Sequence, residues 1–87
     1  MQLNEAIRKR IDYFLKEKGM TSLWDLYKKS GVPKSTINAL LGSQKNNLPR
    51  LPTLLHICEG LGTNLNEFFS DPMFLDIEDS SEDTKDV

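Results

Sequence analysis

The sequence predicts an all-α protein, a compact domain of five short helices with a short acidic C-terminal tail. Three observations carry that prediction. Apolar residues recur at spacings of three and four, as in Ile7, Ile11, Phe14 and Leu15, which is the period of one helix face. Ser22 with Asp25, and Asn64 with Glu67, place an acidic residue three positions after a capping residue, the pattern that satisfies orphan backbone donors at a helix start. Gly19, Gly31 and Gly62 stand where such stretches end and the chain must turn away. A chain of 87 residues has room for one core, which we assign to residues 1–70, leaving 71–87 as an acidic, partly disordered extension.

The first helix is expected from about Asn4, a good N-cap residue, to Lys18. Its stripe of Ile7, Ile11, Phe14 and Leu15 faces the core. Arg8, Lys9 and Arg10 include residues off the stripe and read as a solvated face, with phosphate contact as the alternative. Ser22 then caps a second, short helix in which Leu23 and Leu26 share a side, and Lys28 and Lys29 fall in the last turn, where positive charge suits the helix dipole. After Gly31, Pro33 brings a pre-set φ to a third helix, Pro33–Leu41. There Lys34, Ser35, Thr36 and Asn38 alternate with Ile37, Leu40 and Leu41 at helical spacing. One edge is buried and the other shows water a row of hydrogen-bonding side chains. Two short helices joined by a glycine-containing turn, the second with a polar outer face, have the layout of a helix-turn-helix.

With Leu26, Gly31, Val32, Ile37 and Leu40 at these spacings, the stretch resembles the lambda-repressor-like helix-turn-helix of the Cro and xenobiotic-response-element type. The likeness continues through Leu54, Ile57, Leu61 and Gly62, in the pattern T-L-x-x-I-x-x-x-L-G, and through the Phe68-Phe69 pair. It covers about Asn4 to Phe69. Two positions depart from the family. Tyr27 stands where a small residue usually lets the helices cross closely, and Leu23 stands where a glutamine often contacts phosphate, so Leu23 reads as packing surface. The resemblance implies a five-helix lambda-repressor-like DNA-binding domain whose helix Pro33–Leu41 enters the major groove. It also implies a transcriptional regulator, most often a repressor, working as a homodimer at least on DNA.

For the groove the candidates are Lys34, Ser35, Thr36, Asn38 and Ala39: lysine donates to guanine acceptors, the hydroxyls bond to bases or phosphate, asparagine pairs with adenine, and alanine fits a thymine methyl. The segment SQKNNLPRLP after Gly42 is polar and proline-punctuated, a loop that in the resembled family lies on the phosphate backbone. Lys45, Asn46, Asn47 and Arg50 in this loop, with Ser22 at the start of the second helix, are the phosphate candidates.

A fourth helix is expected from near Pro52 to Leu61, carrying Leu54, Leu55, Ile57 and Cys58, and a fifth after Asn64, where Phe68 or Phe69 closes the core. His56 and Cys58 are two residues apart and point to different sides of a helix, so no metal is expected, and no cofactor. Cys58 is the single cysteine and cannot form an internal disulfide, which fits a reducing compartment. No apolar run approaches the ~20 residues that span a bilayer, and MQLNEAIRKR lacks a signal peptide's apolar stretch, so a cytoplasmic protein with no membrane partner is expected. Met73, Phe74, Leu75 and Ile77 are apolar enough to dock. With Leu65 and Phe68 they either supply the dimer contact or fold back on their own core. Asp79–Val87 is a charged tail that keeps the chain soluble or holds an unidentified protein partner.

The net charge of −2 taken alone argues against nucleic acid, but the charge is divided. Through Arg50, ten basic residues stand against four acidic ones; from Leu51 on, one basic residue stands against nine acidic. A basic half carrying the recognition element is the footprint expected for DNA. An enzyme is not expected, since there is no Gly-rich phosphate loop, no nucleophile with a base in a known arrangement, and one histidine. The alternative function is a protein-binding module on the same fold, of the antitoxin or anti-repressor-partner kind.

Overall fold

The structure is a computed structural model that describes residues 1–20, 23–42 and 48–78. Five helices follow one another, α1 (Leu3–Glu17), α2 (Leu23–Ser30), α3 (Lys34–Leu41), α4 (Leu51–Leu61) and α5 (Leu65–Phe68), and a 3-10 turn spans Pro72–Leu75. No strand occurs among the described residues, so the architecture is the expected all-α one. Among the described residues no helix is long and apolar enough to cross a membrane.

One apolar core joins all five helices. Ile7, Ile11, Phe14 and Leu15 of α1 meet Leu26 of α2, Val32, Ile37 and Leu40 of the turn and α3, Leu54, Ile57, Cys58 and Leu61 of α4, and Phe68 of α5. Leu23 and Tyr27 pack against this cluster half-buried, so Leu23 serves as packing surface. α4 comes close to α2 at Ser30, where a Cβ on Gly60 would lie 2.7 Å from the serine Cβ and 2.9 Å from its backbone nitrogen. Glycine at 60 therefore lets α4 lie directly on the end of α2.

The helix ends differ from expectation by a residue or so, each for a local reason. The N-cap of α1 is Gln2 rather than Asn4, whose Oδ1 instead accepts from the Glu5 N–H at 2.9 Å within the first turn. Pro33 has ψ 144 and lies outside α3 as its N-cap, its carbonyl accepting from the Thr36 and Ile37 N–H groups. α4 opens at Leu51, one residue before Pro52. Gly31 takes φ +74, its N–H donating to the Tyr27 carbonyl while Ser30 Oγ accepts from the Val32 N–H, and this fixes the turn between α2 and α3. Asn64 caps α5 as expected, accepting from the Glu67 N–H at 2.8 Å. The cap assigned to Ser22 lies outside the described residues.

The far end of the domain is closed by aromatic rings and an arginine. Phe68 is fully buried and stacks on Phe14 at 6.1 Å, whereas Phe69 is 38% exposed. Phe74 folds back onto both, 6.1 Å from Phe68 and 4.9 Å from Phe69. Of the apolar group proposed as a dimer contact, Phe68 is thus internal and Phe74 half-buried, while Leu75 is 90% exposed. Arg10 corrects the sequence reading most sharply, being only 6% exposed. Its Nε donates to the Phe68 carbonyl at 2.7 Å, Nη2 to the Glu67 carbonyl at 2.8 Å, and Nη1 lies 3.5 Å from Asp71 Oδ2. The last carbonyls of a helix have no partner within it, and this guanidinium supplies one from α1. Arg8 does the same for α3, Nη1 donating to the Gly42 carbonyl at 3.1 Å. Lys9 alone of the three is a solvated-face residue, 3.7 Å from Glu5.

Candidate nucleic-acid interface

Burying Ile37 and Leu40 against the core fixes which side of α3 looks outward. Lys34, Ser35, Asn38 and Ala39 are exposed, and Thr36 is half-buried at their edge. Residues four apart share a helix face, so Lys34 with Asn38 and Ser35 with Ala39 form two adjoining rows. The start of α3 has no side-chain cap and no acidic residue in its first turn. Its positive dipole end is therefore turned outward without an internal counter-charge, which favours an anion or a hydrogen-bond acceptor.

Between α3 and the start of α4 lies an open depression of about 520 Å3. Ser35, Thr36 and Ala39 line one side, and Leu48, Pro49, Arg50 and Thr53 the other. The fold thus brings three groove candidates and one phosphate candidate to a single place, with Arg50 exposed at the α4 N-cap. Asn38 stays on the outward face, and its backbone carbonyl accepts from the Gly42 N–H at 2.9 Å. Lys34 leans the other way, its Nζ 4.6 Å from the centre of the Trp24 ring. Lys28 and Lys29 are exposed in the last turn of α2. Ser22, Lys45, Asn46 and Asn47 lie outside the described residues.

Trp24, Leu48 and Thr53 border these residues and were not singled out from the sequence. Trp24 did carry a signal: Leu23, Leu26 and Tyr27 fall on one face of α2, which leaves the chain's single tryptophan off that face. Thr53 stands in the T-L-x-x-I pattern, but that spacing gives it no place at an interface; it lines the depression because the start of α4 faces α3 across it.

Other titratable groups serve the core or the surface. The Cys58 thiol is pushed up from 9.0 to about 11, first by burial and then by the neighbouring Glu59 charge, so it stays neutral and fills space. His56 is exposed, with Nδ1 3.2 Å from Glu59 Oε1. Among the described residues no three His, Cys, Asp or Glu side chains gather as a metal site would require.

Compared with known families, residues 10–72 match the family described as the Cro/C1-type HTH DNA-binding domain. No curated protein and no solved structure matches the chain.

Proposed function

The chain belongs to the Cro/C1-type helix-turn-helix DNA-binding family, and from that premise we propose that it is a sequence-specific regulator of transcription, a repressor that occupies its operator and excludes polymerase. α3 enters the major groove of double-stranded DNA. Lys34 donates to guanine O6 or N7, Asn38 pairs with adenine, Ala39 meets a thymine methyl, and Ser35 and Thr36 bond to bases or the adjoining phosphate. Arg50 holds the phosphate backbone across the depression, joined by Ser22, Lys45, Asn46 and Asn47. The observation that carries this reading is the uncapped, cation-bearing outward face of α3 set beside Arg50.

The test is enrichment of bound duplexes from a random pool by the full chain, followed by titration of Lys34→Ala on the enriched and on scrambled DNA. One recurring motif is expected, with Lys34→Ala losing about 1 to 3 kcal/mol at one base position. Equal losses on both DNAs would remove Lys34 from base reading. Failure to enrich any motif would favour a protein-binding module instead, an alternative that draws on the exposed leucines of α4, with Leu51 70% exposed.

Two copies are placed on a pseudo-palindrome with their α3 helices about one DNA turn apart. Because Phe68 is internal and Phe74 half-buried, the contact falls to exposed apolar residues: we favour Leu51 and Leu55, which together share one face of α4, over Leu75, which is more exposed but single. Sedimentation of Leu51→Glu and Leu75→Glu with a two-half-site duplex locates it. Leu51→Glu is expected to bind as a monomer, and Leu75→Glu as the parent does. The reverse result would move the contact to the end of the chain.

A further inference from the structure

Trp24 is the only tryptophan in the chain and stands 49% exposed on the outer side of α2. Its ring lies 5.2 Å from that of Tyr27, which is half-buried against the core, so an anchored side chain braces it. Over its face, 4.6 Å from the ring centre, lies the Lys34 ammonium. That position is otherwise poor for a cation. Lys34 is the first residue of α3, where the helix dipole disfavours positive charge and no acidic residue of the first turn offsets it. Lysine also carries its charge on a flexible four-carbon stem with large rotamer freedom. The electron-rich face of indole attracts the ammonium, stronger than the face of any other side chain, and narrows that freedom.

We propose that Trp24 is a positioning residue for DNA recognition, holding Lys34 at the mouth of the α3 face in the free protein. This rests on Lys34 reading base edges, as set out above. A side chain already confined loses less entropy when it docks, so the ring raises affinity for the cognate site without itself touching a base. An exposed cation–ring contact shifts the lysine's population by about two- to five-fold, which bounds the gain in affinity.

Trp24 emission reports the contact directly, since no other tryptophan contributes. In the free full-length chain, Lys34→Met keeps the stem and removes the charge, and a changed Trp24 emission is expected. Unchanged emission would overturn the contact, whether or not the protein binds DNA. On the enriched duplex, Trp24→Leu is expected to weaken binding by up to about two- to five-fold, and Trp24→Phe, which retains a ring, less. In the Lys34→Met background Trp24→Leu should weaken it no further. An equal loss with and without the lysine charge would mean that Trp24 acts on DNA by itself, and no loss in either background would mean that it does not act at all; both overturn the proposal. If the parent chain selects no duplex, the DNA reading falls while the emission result still stands or falls alone.

Discussion

The closed end of the domain and its α2–α3 face each hold a cation over aromatic rings, yet the two cations do opposite things. The Arg10 guanidinium lies 4.9 Å from the Tyr13 ring centre and 4.6 Å from that of Phe14, and the Lys34 ammonium 4.6 Å from that of Trp24. Arg10 is buried and its donors are spent on two α5 carbonyls and Asp71. Lys34 is exposed, its ammonium on the ring face. The first charge holds the fold together and the second remains available to a ligand. Counting both as positive potential for DNA overstates the basic half: what steers an anion is charge that the protein has not already neutralised.

Arg10→Ala should break this contrast with the largest effect. The buried Phe68 carbonyl loses its donor, whereas the Glu67 carbonyl keeps the Ser70 N–H and Oγ. One unsatisfied buried group costs about 1 to 3 kcal/mol and the lost packing of the buried stem adds to it, so urea unfolding should show a loss of about 2 to 4 kcal/mol. Lys34→Ala should stay within about 0.5 kcal/mol, as exposed substitutions do. Similar losses from the two would show that Arg10 does not hold α5 to α1.

Gly60→Ala tests the packing behind the recognition face. The added methyl would meet Ser30 backbone and side-chain atoms at 2.7 to 3.0 Å. The helices must part, and thermal or urea unfolding should register about 1 to 3 kcal/mol of destabilisation despite the better helix propensity of alanine. A neutral or stabilising result would show that α2 and α4 have slack where they cross.

Alkaline pH loads the core through Cys58. Its pKa is raised in the folded state, from 9.0 to about 11, so the stability it supports is complete below pH 9 and is lost as pH rises through about 11. By pH 10 the loss should be about 1 kcal/mol, read as a steeper decline for the parent than for Cys58→Ala. Parallel declines would mean that the thiol ionises without cost.

Arg50→Ala is expected to change stability least and to sharpen the division within the interface. Losing one phosphate contact should flatten the dependence of binding on salt by close to one contact and weaken enriched and scrambled DNA alike, in contrast to Lys34→Ala. Titration of both variants over a salt series separates them. A loss confined to the enriched site would move Arg50 into base reading.

Much of the fold was legible because its signals are local. The stripe of Ile7, Ile11 and Phe14, the turn at Gly31, the cap at Asn64 and the anchors Ile37 and Leu40 each depend on residues within a turn or two of one another, and each stands in the structure. The outward placing of Lys34, Ser35, Asn38 and Ala39 follows from those anchors, since a helix that buries two positions shows the others. By itself, then, the sequence determined the five helices, their shared core and the face that α3 presents. The tertiary structure decided which of Phe68 and Phe69 goes inside, that Gly60 must be small, that Arg10 is spent on carbonyls 57 and 58 residues away, and that Trp24 sits under Lys34. Helical periodicity assigns a residue to a face of its own helix. The partner it meets there depends on how the helices cross, and that is set only when all of them pack at once.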